Sequence, residues 1–268
     1  MCILKYLLFC CVICISCSHA SLHQKQLMHA LDFSAANSKE LEKVLKHYEH
    51  DSLTSVGENE AQALAEFLKD MKVDAIFCSP LGRARRTSSY IEKALNIKAE
   101  ILPWLKEFDG KMNIENNKSH IFWDVLPQTL SENKFLYNPQ TWRDSSFFNE
   151  KEVCSSFDSL LEKFGYEREK NYYKVLDSNR KTLVFVCHFG LESMILSHLF
   201  NTSPFSLSQH FIAAPTSMTT LYTEERRKGV AQFRCSEYGS VAHLYIKHKK
   251  PSFSGRFCET YDSKERHD

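Results

Sequence analysis

The 268-residue sequence has no long basic run, no low-complexity stretch and no internal repeat. With a net charge of only +1, the first absence removes nucleic acid from the expected partners, because a phosphate backbone is gripped by a clustered positive face. The other two absences exclude a solenoid and a chain too biased in composition to pack a core. The apolar run Leu7–Ile15 is too short to span a bilayer, which takes about 20 apolar residues in a helix. No cysteine–histidine spacing matches a zinc site: Cys11/Cys14 and Cys14/Cys17 are formal C-x-x-C pairs, but His19 and His23 follow too closely to complete a finger. Haem attachment needs histidine directly after the second cysteine, and Ser18 stands there.

What is present is ordinary for a globular protein, with 43% apolar and 25% charged residues. The length suits one large α/β domain or two small ones, with a core big enough to need no disulfide or metal. The ten cysteines are unevenly placed. Five precede His19, while Cys78, Cys154, Cys187, Cys235 and Cys258 are scattered. Scattered thiols, two of them closing apolar runs, suit a reducing compartment better than a disulfide framework.

The N-terminus pulls the other way. Lys5, the run Leu7–Ile15 and the small residues around Ser18-His19-Ala20 have the layout of a signal peptide or hydrophobic leader over residues 1–20. A buried first strand and a shifted gene start are the alternatives, and the run reads more naturally as a segment foreign to the sheet. Residues 21–47 form an atypical polar segment with one apolar stripe, Leu41, Val44 and Leu45.

Beyond it the pattern becomes regular. Thr54 is placed to cap a helix in which Ala61, Leu64, Ala65, Leu68 and Met71 recur at helical spacing. Val73–Cys78 reads as a strand, Arg83–Thr87 opens a second helix, and Ala99–Leu102 is a further strand. Residues 109–149 are aromatic, polar and irregular, a lid-like insertion. A helix is predicted over Val153–Phe164, a buried strand over Thr182–Cys187 and a helix over Glu192–Phe200. Thr216–Tyr222, Val230–Ser236 and Ala242–Ile246 alternate as hairpin or edge strands do. Strands alternating with helices imply a mainly parallel central sheet in a three-layer α/β/α sandwich. Ligands of such sheets bind beyond the carboxyl ends of the strands. Arg83 and His188 each follow a strand, so both belong to that edge.

The combination Leu53-Thr54-x-x-Gly57-x-x-x-Ala61, Ser79-Pro80-Leu81-x-Arg83-Ala84-x-x-Thr87 and Val186-Cys187-His188-x-Gly190 resembles the histidine phosphatase superfamily. Residues 48–268 carry the resemblance, and Trp104–Phe108, Pro215–Ser217 and Gly255–Tyr261 are similar to its phosphoglycerate-mutase-like branch. The resemblance implies a phosphomonoesterase acting on a small phosphorylated metabolite through a phosphohistidine, with no metal and no cofactor. It gives Arg83 the phosphate clamp, His188 the second histidine and Glu107 the proton on the leaving oxygen. Arg85 and Arg86 compete for the clamp, but Arg83 stands directly before Ala84 as the motif requires. A surface charge beside Lys106 is the other reading of Glu107. The resemblance also implies a cytoplasmic domain; a signal over residues 1–20 would instead export it or anchor it to a membrane.

The match breaks at the nucleophile. The family places Arg-His-Gly at the end of its first strand, and here Glu42–His47 occupies the expected stretch without that triplet. If the leader is the first strand, His19 is the fallback nucleophile. Ser18 then replaces the arginine, and a serine cannot grip a phosphate with two parallel N–H groups. A catalytically inactive phosphate-binding or interaction domain of the same fold is the alternative function.

Overall fold

A computed structural model describes residues 6–11, 52–107, 111–114, 118–121, 125–132 and 150–252. Eight strands form one sheet: β1 (Tyr6–Cys11), β2 (Ala75–Cys78), β3 (Ala99–Ile101), β6 (Tyr166–Glu169), β7 (Tyr172–Val175), β8 (Thr182–Cys187), β9 (Met218–Arg227) and β10 (Val230–Ser240). They lie side by side in the order β3-β2-β8-β1-β9-β10-β7-β6. β3, β2, β8 and β1 are parallel, and from β9 onward the sheet turns antiparallel.

The parallel half is covered on both faces. Helices α1 (Ser55–Leu68) and α2 (Gly82–Leu95) bury Leu64, Ala65, Leu68, Ala84 and Ile91 against Ile76, Cys78, Val184 and Val186. On the opposite face, α4 (Glu150–Lys163) and α5 (Phe189–Phe200) bury Phe157, Leu161, Leu191 and Ile195 against Phe77, Leu183, Phe185 and Cys187. Every residue of β8 is buried because its even positions feed one layer and its odd positions the other. A strand covered on both faces reads as a continuous apolar run, which is why it is the plainest in the sequence. Thr54 caps α1 as expected, its hydroxyl accepting from Gly57 N at 3.1 Å.

Two expectations change. Tyr6–Cys11 does not stand apart from the sheet: it pairs with Thr182–Cys187 on one side, and its Leu7–Cys10 stretch pairs with Met218–Leu221 on the other. A signal core and a buried parallel strand make the same compositional demand, an uninterrupted apolar run. Here the pairing also supplies partners for the facing backbone groups of β8 and β9. His19, Ser18 and residues 21–47 lie outside the described residues. Ala242–Ile246 is not a strand but a short helix, α7, against α1. Five residues are too few for a period of two to be told from a helical turn.

The remaining elements lie outside the eight-stranded sheet. Within 109–149, β4 (Lys111–Ile114) and β5 (Lys118–Ile121) form a separate two-stranded sheet, followed by α3 (Pro127–Glu132). Helix α6 (Pro204–Ser208) follows α5. Among the described residues no helix is long and apolar enough to cross a membrane.

Candidate active site

Strand register sets the site. Cys78 of β2 stands opposite Val186 of β8 and Ile101 of β3, while Cys11 of β1 stands opposite Cys187. The carboxyl ends of these parallel strands are therefore level. Arg83 follows β2, Glu107 follows β3 and His188 follows β8, so all three sequence-predicted residues come to one edge. The antiparallel β9 starts at that same edge, with Met218 opposite Cys10.

Arg83 lies in the first turn of α2 and is 3% exposed, while Arg85 and Arg86 are exposed. Arg86 is already engaged: its Nε donates to Glu58 Oε1 at 2.7 Å, Nη2 donates to Tyr90 Oη at 2.6 Å, and its guanidinium stands 4.7 Å from the Tyr90 ring centre. Those contacts hold Arg86 across the outer faces of α1 and α2, which leaves Arg83 as the arginine buried behind the strand ends.

His188 is 1% exposed and occupies the N-cap position of α5, yet its side chain does not cap that helix. Its Nε2 instead lies 2.7 Å from Ser79 Oγ, in the loop after β2. Ser79 is fully buried; its N–H donates to Val186 O at 2.9 Å and its Oγ accepts from Leu81 N at 3.3 Å. The N–H groups at the start of α5 are taken by Glu107. Gly190 N donates to Oε2 at 3.0 Å and Leu191 N to Oε1 at 3.1 Å. A carboxylate at a helix N-terminus meets both the unsatisfied donors and the positive end of the dipole. These two bonds use two of the roughly four lone-pair directions that a carboxylate offers.

In the sequence Ser79 stands only as part of a motif and Glu107 shows no anchoring role, because neither contact leaves a trace in local spacing. Nor does the sequence mark the loop before β9. Thr216 there has φ of 59°, a left-handed conformation that costs a β-branched residue on the order of 1–3 kcal/mol. Its Oγ1 lies 3.1 Å from Nε2 of the buried His243, whose pKa burial pushes down to about 4. Nearby thiols are inert packing groups: Cys78 and Cys187 are both buried, and burial pushes the Cys78 thiol up to about 12. Among the described residues no group of histidine, cysteine and carboxylate side chains is arranged to hold a metal ion.

A yeast protein is similar in sequence and a mycobacterial structure is similar in fold. A probable phosphatase of Schizosaccharomyces pombe is 24% identical over 198 residues, covering 72% of this chain and 83% of its own. A mycobacterial glucosyl-3-phosphoglycerate phosphatase, solved with inorganic phosphate, shares the fold at a TM-score of 0.51 and 14% identity, over 90% of this chain and 98% of that one. A phosphoserine phosphatase mutant of Entamoeba histolytica, solved with phosphoserine, is 21% identical with a TM-score of 0.48, over 72% and 86% of the two chains. The family model of the histidine phosphatase superfamily (branch 1) matches residues 36–236, and the chain belongs to that superfamily.

Proposed function

We propose that the protein is a phosphomonoesterase acting on a small phosphorylated metabolite, with Arg83 and His188 binding the phosphoryl group and Glu107 protonating the leaving oxygen. The observation that carries this reading is the placement of all three beyond the level carboxyl ends of neighbouring parallel strands, two of them buried. Arginine's planar fork matches the phosphoryl oxygens, and a buried cationic clamp acts in a low dielectric where it is worth most. In the reaction the P–O bond of the ester breaks as an N–P bond forms to a histidine, the leaving oxygen takes its proton from Glu107, and water then releases phosphate. The substrate is a small phosphorylated molecule in a cytoplasmic setting, as the family resemblance implies, and its identity rests with residues 109–149.

A specific observation at the nucleophile position favours a second reading. β1 ends at Cys11, level with Cys187, and His188 follows Cys187. The sequence continues from Cys11 as Val12-Ile13-Cys14, with no histidine before His19. A phosphate-binding domain without turnover fits that order of residues. Assays with p-nitrophenyl phosphate and phosphorylated metabolites, with acid-labile label retained on protein, separate the two. Turnover that Arg83→Ala or His188→Ala lowers by about 100-fold or more supports the enzyme. Turnover unchanged in both variants refutes the assignment. His19→Ala that abolishes turnover while sparing phosphate affinity identifies the nucleophile; phosphate binding with no turnover in the parent protein selects the second reading.

A further inference from the structure

We infer that Thr216 is a positioning residue of the site: its bond to His243 holds the turn before β9 in a strained shape on which phosphate binding depends. The inference rests on the phosphoryl-binding role proposed for Arg83 and His188, but not on turnover. Register places the turn. Met218 stands opposite Cys10, so the next antiparallel pair is Ser217 with Cys11, and Cys11 stands opposite Cys187. The turn therefore ends level with the residue before His188, two strand spacings or about 10 Å across the sheet. It borders the strand ends from the β9 side, as the loops of Ser79 and Glu107 do from the β2 and β3 side.

The turn is built against its own preference. Ser217 N–H donates to Ala214 O at 3.0 Å, which closes a four-residue turn with Pro215 second and Thr216 third. Proline second and a left-handed residue third is the type II pattern, whose third place favours glycine. Here φ of 59° falls on a β-branched threonine. What threonine has and glycine lacks is the hydroxyl, and its Oγ1 lies 3.1 Å from His243 Nε2, both residues being 1% exposed. Burial keeps His243 neutral at pH 7, so the bond joins neutral groups and offsets the backbone cost only in part. The next residue adds a second cost: Ser217 is fully buried, and among the described residues its Oγ has no hydrogen-bond partner. Two unfavourable neighbours at the edge that carries Arg83 and His188 fit a binding site better than a plain connection.

The test reads phosphate affinity and folding separately, by titrating inorganic phosphate in a calorimeter and by urea unfolding. Thr216→Gly frees the backbone of strain but drops the hydroxyl. It should fold and yet lose about tenfold in phosphate affinity, because a small displacement of a binding wall is costly. Thr216→Ser keeps the hydroxyl and should keep the affinity. His243→Phe removes the same bond from the other side, so combined with Thr216→Gly it should cost no affinity beyond the single change. Unchanged affinity in folded Thr216→Gly overturns the inference, as do an equal loss in Thr216→Ser and losses that add in the double variant. If Thr216→Gly does not fold, the parent protein still decides. Amide ¹⁵N shifts of Thr216 and Ser217 that move as phosphate saturates the site support the inference, and shifts that stay still overturn it. A parent protein that binds no phosphate is a different failure, which removes the role proposed for Arg83 and His188 and this inference with it.

Discussion

Glu107→Ala tests whether the carboxylate after β3 holds the site together or only decorates it. The side chain accepts from Gly190 N at 3.0 Å and Leu191 N at 3.1 Å, so the substitution strips the acceptor from two donors at the start of α5. Hydrogen bonds to a charged acceptor contribute about 1.5–3 kcal/mol each, and removal of a helix cap costs about 1 kcal/mol. The N–H groups left behind are only partly buried and recover some of this from water, which leaves a loss of about 2–3 kcal/mol. For a domain of this size that is a fall in Tm of roughly 4–10 °C. Glu107→Gln keeps one acceptor oxygen and loses the charge, so its cost is about 1 kcal/mol. Differential scanning calorimetry at pH 7 reads both values. The same variants test proton donation. With p-nitrophenyl phosphate, whose leaving group departs without a proton, Glu107→Gln should change turnover little. With an alkyl phosphomonoester it should lose about 100-fold. A Tm of Glu107→Ala equal to that of the parent protein would refute the anchoring, and equal losses on the two substrates would refute the proton transfer.

Two further predictions concern buried positions outside the chemistry. His243 has its folded pKa pushed below the ordinary value, so between pH 6.5 and about 4 the unfolded chain binds the extra proton and stability falls as pH is lowered. At about 1.4 kcal/mol per pH unit the parent protein should lose on the order of 3 kcal/mol across that window beyond what His243→Gln loses. Urea midpoints for both proteins at pH 7 and pH 4 check it, and parallel curves would remove His243 as the cause. Gly165 turns the chain from α4 into β6 at φ of 90°, and a Cβ there would meet Asp177 O at 2.5 Å. Gly165→Ala should therefore destabilise by more than about 1 kcal/mol, seen as a lower urea midpoint at unchanged m-value. Retention of the parent midpoint would show that the turn relaxes.

The parts legible in the sequence are those where one demand dominated. Leu183–Cys187 had to be apolar throughout to sit between two helical layers, and Ala61, Leu64, Ala65 and Leu68 had to recur at helical spacing to reach one of them. The edge shared by Arg83 and His188 followed from parallel strands alone. Tyr6–Cys11 was not legible, because an apolar run satisfies a signal and a buried strand equally well. Ala242–Ile246 was too short to reveal its period. The hairpin Tyr166–Val175, turning at Lys170 with φ of 52°, carries charged residues at its tip and has little apolar alternation to betray it. The Ser79–His188 contact joins loops 109 positions apart, and no local pattern encodes a partner at that separation.

The central place of β1 has a consequence for how the chain is made. Tyr6–Cys11 is synthesised before the rest of the sheet, yet both of its partners, Thr182–Cys187 and Met218–Leu221, leave the ribosome far later. Until then the segment emerges as an apolar stretch with unpaired backbone, a template for pairing with other chains. Closing such long loops slows folding more than it costs stability. Its insertion is also what joins β8 to β9, so a nascent chain that loses this stretch to a chaperone or to an aggregate leaves two half-sheets with raw edges. Yield in cells should then depend on who holds the N-terminal strand during translation, quite apart from how firmly the finished domain stands.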